Sequence, residues 1–270
     1  MPTLRFGPLF LGPPSAEERT DLEAKAVKLP FSFQHVGITQ AAPPLPADVE
    51  AEAWTVDHNR VKLGQGRAAY RKAQRLLQRW HHFDLGWASV NKAEMREGAP
   101  VVVTAKTLFA WSCNPLRISY VEERGLRGGQ RPPWAPPPPP RAKGSTQLHT
   151  SCGGARESPS QGLARGGGGR AEWAAAQERS SGAAAHLPRG RRYAFAHTTL
   201  AGHQIQGEER FAVAWNHEDD SVWYEIYTLS RPGNWLTTAT HPLLRLFQHK
   251  FAADSMAAMQ RGMAEDEAPR

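Results

Sequence analysis

The chain has 270 residues, with 33 lysines and arginines against 26 acidic residues and a formal net charge of +7. Residues 125–191 contain ten of the basic residues and three of the acidic ones, so this segment carries the whole excess and the rest of the chain is neutral. A strongly basic chain usually indicates a nucleic-acid or anionic-membrane partner. Outside 125–191 the charge gives no support to such a partner.

Cysteine content and hydropathy set further limits. The two cysteines, Cys113 and Cys152, cannot form the disulfide framework of a small secreted domain, which favours a reduced intracellular protein. No stretch approaches the roughly 20 apolar residues of a membrane span. Prolines interrupt residues 1–14 and no small-residue cleavage site follows, so no secretory signal is expected. We expect a soluble cytoplasmic protein, with an organelle left open.

Residues 1–50 read as an N-terminal extension that is part of the domain. Ser15 and Glu18 form a capping-box pattern, which predicts a short helix through about Val27. A proline-rich connector follows at 41–46.

Residues 51–124 read as the first half of an α+β domain. After Gly64-Gln-Gly66, apolar side chains recur with a period of 3.6 residues and predict an amphipathic helix. Aromatic and β-branched runs predict strands. These strands are expected at 55–63, 83–90, 101–108 and 116–123, the last two separated by Asn114-Pro115.

Residues 125–191 form a low-complexity insert with a polyproline run at 136–140 and a glycine run at 166–169. Such a composition buries too little apolar surface to offset the entropy of ordering, so we expect a disordered insert. Its flanking residues, Arg124 and Arg192, are expected at adjacent strand termini, as in an oversized hairpin loop. The sequence leaves open whether the insert is genuine or a gene-model artefact.

Residues 192–263 read as the second half of the domain, and 264–270 as an acidic tail. The turn 216–220 predicts a hairpin between the last two strands. Strands are expected at 192–200, 208–215 and 222–230, and a long helix from about 240 to 263.

The order of the elements indicates the fold class. A strand and a helix are followed by about six strands in a run and then by the long helix, which favours α+β over a doubly wound parallel sheet. We predict a curved, mostly antiparallel sheet wrapped on the C-terminal helix, the helix-grip architecture of START and Bet v-like proteins, with a disordered internal insert.

Two kinds of cofactor site are set aside. Gly64, Gly66 and Ala69 match the dinucleotide fingerprint G-x-G-x-x-(G/A), but the preceding strand is polar and alternating, unlike a central parallel strand. A tight strand-to-helix turn explains these glycines better. His81 and His82 are adjacent, so in a strand they would point to opposite sides, and no metal-ligand spacing occurs. We expect neither a cofactor nor a metal.

The candidate functional residues lie mostly on the predicted strands. An imidazole or carboxylate among aromatic rings, in a cavity between the sheet and the helix, has a shifted pKa and is suited to acid–base work. Cross-strand ion pairing at a wet sheet face is the alternative. The catalytic candidates are His197, Glu209, Tyr224 and Glu225. The candidates for ligand binding are His58, Arg60, Trp87, His197, His203, Glu209, Trp223 and Trp235.

Several short segments carry a family resemblance in combination. They are 33–39, 58–66, 77–80, 86–87, 200–203, 207–211, 222–226, 230–232 and 250–255. Together they resemble a family of plant and bacterial proteins without an assigned function, uncharacterised protein family 0548. The resemblance implies a single domain over most of 30–124 and 192–263, and no reaction. The insert departs from the family pattern, in which the flanking strands are joined more directly.

Three functional hypotheses remain. The first is binding of an apolar or amphipathic small molecule in a cavity between the sheet and the C-terminal helix. The second is an enzyme that uses the acid–base residues of the same cavity. The third is association with RNA or a membrane surface through the basic insert, without a specific nucleic-acid partner. The sequence does not decide the oligomeric state.

Overall fold

The computed structural model describes most of the chain outside the predicted insert. The described residues are 5–6, 9–10, 12–40, 45–50, 52, 54–107, 110–126, 189–234, 237–238 and 240–265. All of them fall in one compact unit, formed by 1–128 and 188–270. The expectation of disorder between 127 and 188 therefore lies outside the described residues.

Strands and helices are numbered in chain order among the described residues. The strands are β1 Arg5–Phe6, β2 Leu9–Phe10, β3 Thr55–Gln65, β4 Ala88–Val90, β5 Pro100–Thr107, β6 Ala110–Leu126, β7 Gly190–Thr199, β8 Ile205–Asn216 and β9 Ser221–Pro232. The α-helices are α1 Ala16–Ala26, α2 Ala47–Glu50, α3 Gly66–Gln78 and α4 His241–Ala264, and 3₁₀ helices lie at Ile38–Gln40 and His81–Phe83.

Short connections between extended segments produce a curled antiparallel sheet. Its seven main strands lie in the order β4-β5-β6-β7-β8-β9-β3, and every pairing among the described residues is antiparallel. The turn after Asn216 joins β8 to β9 as the predicted hairpin. Strand β3 comes first in sequence among these seven strands but lies at the edge beside β9. The predicted α+β fold, a curled antiparallel sheet with a C-terminal helix, is confirmed.

The antiparallel pairing of β3 also bears on the glycine motif. A dinucleotide site of that type needs a parallel βαβ unit, whereas β3 pairs antiparallel with β9. Gly66 has a φ of +83° and donates its N–H to the Asp220 carbonyl at 2.8 Å. The glycine therefore serves the strand-to-helix turn, as the sequence indicated.

Strands β6 and β7 pair as far as Leu126 and Gly190, with Arg124 directly opposite Arg192. The two strands thus reach two residues into the segment 125–191 from each end. The predicted break at Asn114-Pro115 is wrong, because β6 runs through it. At Pro115 the edge of β6 that faces β7 contacts Leu200, whose N–H donates to the proline carbonyl at 3.2 Å. Proline has no N–H, and no residue of β7 pairs there that would accept one.

The strand predicted at 83–90 is also wrong over most of its length. Residues 81–83 form a 3₁₀ helix, and only Ala88–Val90 pairs in the sheet. Trp80 and Gly86 adopt left-handed backbone angles, with φ of 61° and 63°. These angles turn the chain on both sides of Phe83 and prevent an extended segment.

One side of the sheet, here called the helix face, packs against α3, the 3₁₀ helix at 81–83 and α4. The 3.6-residue period of α3 turns Tyr70, Ala73 and Leu77 towards the sheet, as predicted. A fully buried large apolar side chain contributes roughly 1.5–3 kcal/mol. The core joins these residues to Trp80, Phe83, Phe195, Phe211, Tyr224, Ile226 and Met259.

The other side, here called the opposite face, is covered by residues 33–40 and α2. Its centre is the carboxylate of Glu208, which is almost fully buried. This carboxylate accepts backbone N–H groups of Gly37 at 2.7 Å and Thr39 at 3.0 Å. It also accepts hydroxyl groups of Thr39, Ser119 and Thr198 at 2.6–2.9 Å. Five hydrogen bonds thus tie residues 37–39 to β6, β7 and β8.

We expect Glu208→Gln to lower the free energy of unfolding by about 3 kcal/mol, since an amide cannot accept all five hydrogen bonds and its own N–H donors would lie unpaired. Urea denaturation followed by tryptophan fluorescence measures the change. The control is Glu218→Gln, at an exposed position of the β8–β9 turn, which should change stability by less than about 0.5 kcal/mol. Equal unfolding free energies for the two variants would show that the buried carboxylate is not a principal stabilising group.

Candidate functional site

The helix face carries an imidazole–carboxylate pair where β7 and β8 lie side by side. Their register places His197 directly opposite Glu209. His197 Nε2 lies 3.2 Å from Glu209 Oε2, and the Thr228 hydroxyl donates to Glu209 Oε1 at 3.1 Å. An ionised carboxylate only accepts hydrogen bonds, so Nε2 carries the hydrogen. The His197 side chain is 3% exposed and that of Glu209 22%, so the pair extends from the core to the surface.

Aromatic rings surround the inner end of this pair. The centroid of the His197 ring lies 5.2 Å from that of Phe211 and 6.4 Å from that of Phe83. Phe251, from α4, lies 5.1 Å from Phe83 and 6.2 Å from Phe211. The phenyl rings come from β8, the 3₁₀ helix and α4, and they form an apolar wall with one polar end.

His82 is a second imidazole inside the same wall and is fully buried. Its ring lies 4.6 Å from Phe211 and stacks on Trp80 at 5.6 Å. Burial lowers the pKa of His82 well below its ordinary value, and the neighbouring His197 and His81 lower it further. His82 is therefore neutral, with one ring nitrogen a donor and the other an acceptor.

Three ring nitrogens in this region are buried without a hydrogen-bond partner: both nitrogens of His82, and Nδ1 of His197. A buried polar group without a partner costs roughly 1–3 kcal/mol. Each such group calls for an explanation, such as a bound water, local strain or a functional role. We define the helix-face cluster as His197, Glu209, Thr228 and His82 with the rings of Phe83, Phe211 and Phe251.

Polar contacts join the first turns of α4 to the sheet beside this cluster. Arg245 donates to both carboxylate oxygens of Asp57, at 2.5 and 2.7 Å. Gln248 donates to the Ser230 hydroxyl at 3.1 Å. The charges of Arg245 and Asp57 neutralise each other, and the pair holds the helix against β3.

Two further predicted residues lie near the cluster but have other partners. The Tyr224 hydroxyl lies 2.8 Å from Ser255 Oγ, and burial raises its pKa well above the ordinary value, so Tyr224 stays protonated. His203 lies in the β7–β8 turn, where its Nδ1 is within 3.0 Å of the Ile205 backbone. Burial lowers the pKa of His203 to about 4. The hydrogen bond to Ile205 acts in the opposite direction and raises the pKa, whereas the nearby His197 lowers it further.

Four predicted residues lie on the opposite face, away from the cluster. His58 Nε2 is 3.9 Å from Glu225 Oε2, and the Arg60 guanidinium lies 4.0 Å from the Trp223 ring centre. Burial alone would raise the pKa of Glu225, but His58, Arg210 and Arg60 outweigh it and lower the pKa to about 2. Glu225 therefore remains ionised and suits an ion pair better than proton transfer.

The two remaining tryptophan candidates are not part of the cluster either. Trp87 lies beside α4, donating from Nε1 to Asp254 at 2.7 Å, with Lys250 5.3 Å from its ring centre. Trp235 lies outside the described residues. Of the four catalytic candidates, only His197 and Glu209 therefore come within hydrogen-bond distance of each other.

Within the described ranges, no three His, Cys, Asp or Glu side chains are arranged to hold a metal ion. No helix of that part of the chain is long and apolar enough to cross a membrane.

Comparison with known proteins places the chain in a family context. A family model described as a domain of unknown function, DUF1990, matches residues 32–152 and 161–258. A UPF0548 protein of Arabidopsis thaliana is 24% identical over 255 residues, which cover 93% of this chain and 95% of the relative. A UPF0548 protein of Dictyostelium discoideum is 22% identical over 228 residues, covering 82% and 78%. The resemblance to uncharacterised protein family 0548 is confirmed.

We expect His82→Phe to reduce the pH dependence of stability. Because the pKa of His82 is lowered in the folded state, the unfolded chain binds more protons below about pH 6.5. The wild type should lose up to about 1.4 kcal/mol per pH unit below that pH through this residue, and His82→Phe should lose correspondingly less. Urea denaturation between pH 8 and pH 5 measures both slopes.

The control for this comparison is His217→Gln, which removes a histidine at an exposed position of the β8–β9 turn. It should keep the wild-type slope. Identical slopes for the wild type and His82→Phe would show that His82 is accessible to protons in the folded protein.

Proposed function

We propose that this chain, which belongs to the DUF1990 family, binds a small amphipathic molecule between the sheet and α4, with its polar group at the helix-face cluster. The observation that supports this is the set of three buried ring nitrogens without a partner beside an apolar wall. A ligand that supplied their hydrogen bonds would recover roughly 1–3 kcal/mol at each one. The phenyl rings would cover its apolar part.

Access to the cluster requires movement of the first half of α4. All fully buried residues of this helix lie at Ala252 or beyond, whereas residues 241–251 are exposed or only partly buried. The first three turns are held mainly by Arg245–Asp57, Gln248–Ser230 and Phe251. Segments with few buried apolar contacts open at low cost. We infer that a ligand enters there, with its polar group directed at His197.

Native mass spectrometry with a library of lipids and metabolites tests this proposal. We expect the wild type to retain at least one amphipathic compound, and His197→Phe to weaken its binding tenfold or more, since tenfold corresponds to about 1.4 kcal/mol, or one hydrogen bond. Binding by neither protein, or equal binding by both, would contradict the proposal.

The matched control is Glu225→Gln. It alters the other histidine–carboxylate pair of the sheet, His58–Glu225, on the opposite face. It should bind the compound as the wild type does. Weakening by this variant as well would indicate a general loss of structure, which circular dichroism and urea denaturation of all three proteins would reveal.

Acid–base catalysis at the same cluster is a second candidate, favoured by the orientation of His197. Because Nε2 is directed at Glu209, Nδ1 is the nitrogen left without a partner, and it is the one that could accept a proton from a bound compound. Incubating each retained compound with the wild type and with His197→Phe, and then following its mass, tests this. Conversion by the wild type alone supports an enzyme; no conversion of any compound supports binding only.

A further inference from the structure

We infer that the bound polar group is a neutral or cationic hydrogen-bond donor, a hydroxyl or an amine, rather than a carboxylate or a phosphate. This inference rests on the proposed function and specifies the ligand class for the same site. It follows from the hydrogen-bonding roles of the unpartnered ring nitrogens in the cluster, and from the charge of Glu209.

The unpartnered ring nitrogens of the cluster are mainly hydrogen-bond acceptors. His197 Nε2 is used by Glu209, 3.2 Å away. Its Nδ1 is buried among phenyl rings without a partner. In the neutral tautomer whose Nε2 hydrogen is directed at Glu209, Nδ1 is a hydrogen-bond acceptor. His82, also neutral, adds one acceptor and one donor. A ligand group that donates fits more of these positions than one that only accepts.

The charge of the cluster points in the same direction. Glu209 contributes a negative charge, and Arg245, from the first half of α4, is already held by both carboxylate oxygens of Asp57. Like charges a few ångströms apart repel each other, more strongly in a partly buried site than in water. An anionic head group next to Glu209 would meet this repulsion.

An ammonium group would gain from the same surroundings. It would pair with Glu209 and lie among the rings of Phe83, Phe211 and Phe251. A cation is attracted to an aromatic face, and more strongly where water is excluded. A hydroxyl would gain the hydrogen bond to His197 Nδ1 without cost in charge. Both groups are thus favoured over a carboxylate of equal chain length.

Three eight-carbon probes test the inference: 1-octanol, octylamine and octanoate, titrated at pH 7.5 into the full-length protein and followed by isothermal calorimetry. They share one chain length, so differences in affinity report on the head group. We expect octanol and octylamine to bind at least tenfold more tightly than octanoate. Glu209→Gln should weaken octylamine and strengthen octanoate, whereas Glu225→Gln on the opposite face should leave the order unchanged.

The possible outcomes separate this inference from the proposed function. Preferential binding of octanoate that His197→Phe abolishes would overturn the inference and leave the proposed site standing. Binding of the three probes with equal affinity would also overturn it. Failure of all three probes, together with no compound retained from the library, would overturn both the inference and the proposed function.

Discussion

The buried carboxylate of Glu208 is the interaction on which the arrangement of the sheet depends. Five hydrogen bonds fix it to residues 37–39 and to strands β6 and β7. Side chains alternate between the two faces of a strand, so fixing Glu208 on the opposite face places Glu209 on the helix face. A slip of β8 by one residue would exchange the two carboxylates and leave both without their partners. The hydrogen bonds of Glu208 therefore fix the register of β8, in which His197 lies opposite Glu209.

The same alternation gives the sheet two histidine–carboxylate pairs whose surroundings differ. On the opposite face, burial would raise the pKa of Glu225, but His58, Arg210 and Arg60 together lower it to about 2. On the helix face, His197 and Glu209 have phenyl rings and the Thr228 hydroxyl as neighbours. Nearby cations make the first pair part of a charge cluster, whereas the second pair lies among apolar rings. Position in the sheet, rather than residue type, thus distinguishes the two pairs.

Local sequence patterns predicted the elements better than they predicted the site. The capping box at Ser15 and the period of α3 each lie within one element, and both appear in the structure. The pairing of His197 with Glu209 depends on the length of the β7–β8 turn, and that of Glu225 with His58 on the placement of β3 beside β9. His82 is not among the candidate residues, because its adjacency to His81 offers no metal-ligand spacing and no sign of burial. In the 3₁₀ helix His82 turns inward while His81 pairs with Asp84.

The two ends of α4 are held in different ways, and this difference bears on the entry route proposed for a ligand. At the C-terminal end, Lys72 donates to the carbonyls of Met263 and Glu265, and a side chain added at Gly262 would come within 2.5 Å of His81. Close packing of this kind leaves no room for the helix to shift. At the other end, Leu246 is 63% exposed and the contacts to the sheet are mainly polar. The buried residues from Ala252 to Gly262 hold the C-terminal half in the core, whereas the N-terminal half is joined to the sheet by the Arg245–Asp57 and Gln248–Ser230 contacts. In the proposed function, a ligand would enter at the N-terminal half.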